Sequence, residues 1–142
     1  MPIEVEVLQN GTGLLLRYRG NVTGKDKIEI MERLIASPEL VSRLRYMVID
    51  DGSAHLDLSM EEVRIIAGQD RRMAQIAPAG IVVAMIAPRE VDFGMARMWQ
   101  VFVEETGWET MVFRSFDEAD LWLREKVGAW AEVSSQRTRT SH

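Results

Sequence analysis

The stretch Ile81-Val82-Val83-Ala84-Met85-Ile86-Ala87, followed by Pro88 and then by Asp92-Phe93-Gly94-Met95-Ala96-Arg97-Met98-Trp99, decides how this 142-residue chain is read. Seven apolar residues in a row are far too few to span a bilayer. They fit a strand covered on both faces, as strands of parallel sheets are. Pro88 stops the run, and beyond it the apolar residues recur at helical spacing. A buried strand therefore empties into a helix start, the place where open α/β sheets receive ligands.

Upstream of that unit the same pattern repeats. Tyr46-Met47-Val48-Ile49 is a second short apolar run, and Ser59-x-x-Glu62 behind it has the form of a capping box. The helix it opens, about Met60 to Ala77, carries Val63, Ile66, Ala67, Met73, Ala74 and Ala77 on one side. Asp70 falls among them, either paired with an arginine at the helix border or held in a site. Thr23-x-x-Asp26 opens an earlier helix to about Ala36, with Ile28, Met31, Leu34 and Ile35 on one face. Ser37-Pro38 breaks it, leaving room for a short turn from Glu39 to Leu44. At the start of the chain Ile3, Val5 and Val7 alternate with Glu4 and Glu6, the period of a strand with one wet face near a sheet edge. Asn10-Gly11-Thr12-Gly13 turns it back into a return strand from Leu14 to Arg19. Gly11-x-Gly13 is no dinucleotide loop, because position 16 is Leu and a strand follows.

Downstream, Gly107 caps the third helix and Thr110-Met111-Val112-Phe113 makes a last strand. Ser115-x-x-Glu118 then opens a final helix bearing Ala119, Trp122, Leu123 and Trp130. The order is β-β-α-β-α-β-α-β-α: one α/β domain over residues 1–130 with a mixed, mostly parallel five-stranded sheet. Residues 131–142 read as a disordered tail, rich in Ser, Thr, Gln and Arg from Ser134 onward.

Composition excludes several classes of function. With 22 acidic against 17 basic residues and a net charge of -5, the chain lacks the electrostatic footprint of a nucleic-acid or anionic-membrane binder. It has no cysteine, which removes thiolate chemistry and disulfides and suits a reducing cytoplasm. The N-terminus has neither the basic nor the apolar region of a secretory signal, and no interval is apolar enough to cross a membrane.

Several blocks resemble a known family. Gly20-x-Val22-Thr23, the Ile49-Asp50 strand end, Phe93-Gly94-Met95-Ala96-Arg97-Met98, and Val112-Phe113-Arg114 with Glu118-Ala119-x-x-Trp122-Leu123 resemble the bacterial SpoIIAA-like family, grouped with STAS and CRAL-TRIO-like domains. The likeness runs from about Gly11 to Arg124. It implies an α/β domain, often a dimer, and little chemistry. Its better-known relatives, anti-sigma-factor antagonists, bind a partner protein. They are switched by phosphorylation of a serine that opens the second helix in an Asp-Ser-Ser-Gly-like setting. Here Ser53, in Asp50-Asp51-Gly52-Ser53, matches that setting in composition, and Ser59 matches it in helix position.

Three surfaces carry the functional expectations. On the helix after Pro88, Val101, Met98, Phe102, Met95, Trp99, Val103 and Ala96 fill an arc of roughly 220°, wider than one sheet face requires. Met95, Met98, Trp99 and Phe102 are the expected interface of a homodimer acting through protein contacts, without catalysis and without cofactor or metal. The alternative is a small apolar or amphipathic anionic ligand between the two central helices, with Asp50, Phe93 and Gly94 around it and Arg97 holding the anionic head. The third surface is the loop Asp50 to Asp57, whose His55 sits among acids. It offers a general base for a hydrolase, although no recognised catalytic motif accompanies it.

Overall fold

The computed structural model describes residues 2–130; the expected tail at 131–142 lies outside them. Seven strands and five helices follow one another as β1 (Ile3–Leu8), β2 (Gly13–Tyr18), β3 (Asn21–Thr23), α1 (Gly24–Ile35), α2 (Pro38–Val41), β4 (Tyr46–Asp50), β5 (His55–Asp57), α3 (Met60–Ile76), β6 (Val82–Ile86), α4 (Glu90–Phe102), β7 (Glu109–Phe113) and α5 (Phe116–Val127). The main sheet has the order β1-β2-β4-β6-β7. Only β1 is antiparallel to its neighbour.

From β2 onward the strands are laid down in one direction across the sheet. Right-handed crossovers then put all three connecting helices, α1, α3 and α4, on one face. Leu14, Leu16, Met47, Ile49 and Val83 point into that face and meet Met31, Leu34, Val63, Ala67, Met73 and Trp99. The alternate residues Leu15, Tyr46, Val48, Ala84 and Ile86 point the other way, where Ala119, Leu123 and Trp130 cover them. Both faces are dry, so Tyr46–Asp50 is buried at every position and the run reads as continuously apolar until its last residue.

The caps form as the sequence spacing implies. Thr23 accepts from the Asp26 amide at 3.1 Å while Asp26 accepts from the Thr23 amide at 3.0 Å. Ser59 and Glu62 make the same pair at 3.1 and 2.8 Å. At Ser115 only half of the box closes: its Oγ accepts the Glu118 amide at 3.2 Å. Gly13 is bare for a packing reason, since a Cβ there would stand 2.2 Å from the Tyr46 ring.

Four details differ from the sequence reading. The region after Asp50, expected as loop, contains β5, which pairs in parallel with β3 as a separate two-stranded sheet; three residues are too few to show a period. The buried face of α1 is Lys27, Ile30, Met31 and Leu34, turned by one residue from the expected stripe, so a lysine enters the core side. Val5 and Val7 of β1 share a face with Leu16 and Leu14 yet remain exposed at the sheet edge. The hairpin turn expected over Asn10–Gly13 forms one residue earlier, as the 3-10 turn Gln9–Gly11 with positive φ at Gln9 and Asn10. Among the described residues no helix is long and apolar enough to cross a membrane.

Candidate functional site

Ionisable side chains interrupt the mostly apolar buried stripes of three helices, in the first turn of α1 and α4 and midway along α3. Lys27 precedes Ile30, Met31 and Leu34 on α1; Asp70 lies between Ile66–Ala67 and Met73 on α3; Asp92 precedes Met95, Ala96 and Trp99 on α4. All three are buried. They converge at the carboxyl ends of the parallel strands, where Tyr18 ends β2 and Asp51 follows β4 with its amide donating to Ile86 O at 3.0 Å. Together they line a cleft among α1, α3 and α4 with a cavity volume of about 70 Å³, with apolar walls from Leu56, Leu58, Val63, Ile66, Met85 and Met95.

The electrostatics follow from that burial. Asp51 is pushed up to about 8, first by desolvation and then by the negative charge of Asp92, against a smaller opposing pull from Lys27. Asp70 is pushed up to about 6 by desolvation, and Lys27 and the Trp99 hydrogen bond hold it from rising further. Burial also raises Asp92 and Tyr18 and lowers Lys27. Trp99 Nε1 donates to Asp70 Oδ2 at 2.7 Å, inside the core. Lys27 Nζ stands 5.3 Å from the centre of the Tyr18 ring. Asp92 is 5% exposed, and its Oδ2 has no hydrogen-bond partner. Among the described residues, no three His, Cys, Asp or Glu side chains are grouped to hold a metal ion.

The residues expected as ligand contacts lie elsewhere. Arg97 is exposed, outside the cleft lining, because position 97 falls on the solvent side of α4; an anionic head held by Arg97 in this cleft is therefore not supported. Phe93 lies under the Arg114 guanidinium, 4.0 Å from the ring centre, and Arg114 pairs with Glu90 at 3.0 Å. Gly94 is exposed with nothing within 4 Å of an added Cβ, so tight packing does not explain it. Asp50 is buried and its Oδ1 accepts the Gly52 amide at 2.9 Å, closing the turn after β4.

The expected interface divides. Trp99 is 4% exposed and belongs to the core, so it is removed from that surface; Met95 and Phe102 are half-buried, and Met98 faces out. Ser53 is exposed in the turn after β4, and Ser59 caps α3 with its hydroxyl engaged by the helix. His55, on β5, receives a hydrogen bond at Nδ1 from Arg89 Nη1 at 3.1 Å, where a hydrolase triad would place a carboxylate.

Sequence comparison is silent: no protein-family model matches the chain, and no curated protein matches it significantly. Structural comparison finds the Bacillus cell fate determinant SpoIIAA, solved in its phosphorylated form. The two superpose with a TM-score of 0.53 at 11% identity, over 86% of this chain and 99% of that one. At that identity the likeness carries the backbone and not the site, and the chain has the SpoIIAA fold, a single α/β domain on a mixed five-stranded sheet.

Proposed function

We propose that the protein is a binding domain whose cleft among α1, α3 and α4 holds a small, largely apolar molecule. The observation that carries this reading is the cleft itself: an apolar chamber at the carboxyl ends of parallel strands, into which a few ionisable groups are turned despite the desolvation this imposes. Groups are held in such destabilised states at functional sites far more often than in inert cores. The cysteine-free sequence supports a cytoplasmic setting. Titration of labelled protein with 1-hexanol, followed by amide NMR, is the test. Saturable shifts are expected at Val63, Met85 and Met95, and Met95→Trp, which fills the chamber from a half-buried position, is expected to suppress them. Shifts scattered over the surface, or none, would sink the reading.

A second reading rests on a different observation. Val91, Met98 and Val101 are 71%, 40% and 56% exposed along one outward stripe of α4, with bare Gly94 between them. Such a stripe suits a flat apolar contact with another protein, a second copy of the chain included. The double variant Met98→Lys/Val101→Lys is expected to convert a dimer to monomer in sedimentation equilibrium. A parent protein already monomeric at the highest soluble concentration would count against self-association.

A further inference from the structure

The charge inventory of the cleft narrows what it takes, given that the cleft is a binding site at all. Three carboxylates, Asp51, Asp70 and Asp92, face it with one cation, Lys27. Asp70 is accounted for: it accepts from Trp99 Nε1 and feels Lys27 as its largest favourable charge. Asp51 and Asp92 are left facing each other's charge, and Asp92 Oδ2 is enclosed by protein with no donor to receive. Arg89 and His55 favour the charged form of Asp92, but both are exposed and their side chains are hydrogen-bonded to one another. Glu6 Oε2, Gln69 Oε1 and Trp130 Nε1 are also buried without a partner, but of these four residues only Asp92 lines the cleft, where a bound molecule can supply the missing donor.

We propose that the cleft takes an apolar molecule bearing one ammonium group, its alkyl body against Leu58, Ile66 and Met85 and its N–H donors received by Asp92 and Asp51. An ammonium supplies what the site lacks in two respects: donors for Asp92 Oδ2, and a positive charge between two carboxylates that otherwise disfavour one another's ionisation. An anion would add negative charge to a cleft whose acidic side chains already outnumber its one cation, Lys27. A neutral alcohol could donate to Asp92 but would leave the repulsion between the carboxylates as it is. A metal ion needs ligands grouped more closely than these side chains are.

The test compares n-hexylamine, 1-hexanol and hexanoate, three probes with the same alkyl body, by isothermal titration into the full chain at neutral pH and matched ionic strength. Hexylamine is expected to bind roughly ten-fold or more tightly than 1-hexanol, the margin of a charge-assisted hydrogen bond, with hexanoate weakest. The isosteric variants Asp92→Asn and Asp51→Asn are each expected to erode that preference, with folding checked by their thermal transitions. Equal binding of hexylamine and 1-hexanol, or a preference that survives both variants, overturns the ammonium assignment while leaving an apolar-ligand cleft standing. No saturable binding by any of the three overturns the cleft reading and this assignment with it.

Discussion

Replacing Trp99 with alanine is expected to destabilise the protein by about 4 kcal/mol, within the range for deleting a fully packed aromatic side chain from a core. Two effects combine. The indole is buried between α3, α4 and the sheet, so its removal leaves a cavity that α4 cannot collapse into without lifting from the sheet. The Asp70 carboxylate also loses the 2.7 Å hydrogen bond from Nε1, and an unsatisfied buried acceptor carries its own penalty of about 1–3 kcal/mol. Trp99→Phe separates the two, because it keeps most of the apolar volume and removes only the donor. Its loss should be the smaller, and it should grow with pH, since the Trp99 hydrogen bond is one of the influences holding Asp70 down at about 6. Urea denaturation of the three proteins at two pH values makes the measurement. A loss under about 1 kcal/mol for the alanine variant would mean that the indole is not packed as described.

The second large effect has the opposite sign. Asp51→Asn is expected to stabilise the protein at pH 8 and to change it little at pH 4. In the unfolded chain Asp51 ionises near the ordinary carboxyl value of about 3.9, whereas in the fold it is pushed up to about 8. Below the lower value both states hold the proton and the group contributes no difference. Between the two values the unfolded chain has released its proton while the folded one retains it, so stability falls as pH rises; above about 8 the loss is complete and flat. The fall between pH 5 and pH 8 is on the order of 3 kcal/mol from this residue alone. Asp70 and Asp92 add in the same direction over their own ranges, and Lys27, lowered by burial, acts the other way at alkaline pH. The difference between parent and variant isolates Asp51. If the two denaturation midpoints run parallel across pH 4 to 9, Asp51 is not in the desolvated state described, and the electrostatic account of the cleft fails with it.

Much of the architecture could be read along the chain because each main element is long enough to show its period or has a cap that fixes its start. Tyr46–Asp50 and Val82–Ile86 were legible as doubly covered strands, and Thr23, Ser59 and Ser115 as helix starts. The β3–β5 pair was not, because its strands have three residues each and their partners lie more than thirty positions apart. The cleft was half visible. Asp70 interrupts an apolar stripe plainly, and Lys27 and Asp92 do the same once the helix faces are phased correctly, but a phase error of one residue on α1 moves Lys27 from core to solvent. Arg97 and Gly94 stand out in the sequence instead, because their residue types suggest anion binding and close approach. On α4 their angular positions place them on the outer side, and only the sheet on which the helix lies settles which side is outer.

The one-directional strand order also has a consequence in time. Leu14 is matched with Met47, Met47 with Val83 and Val83 with Thr110, so every parallel ladder closes a long loop and only the β1–β2 ladder is local. Such connectivity slows the search for the native state, because each ladder must meet its loop-closure entropy before its contacts form. On the ribosome the first hairpin can settle early, whereas β7 and α5 emerge last among the described elements. Until α5 and Trp130 arrive, the face carrying Leu15, Val48 and Ala84 has no cover. The nascent chain is thus most vulnerable to association just before α5 is made.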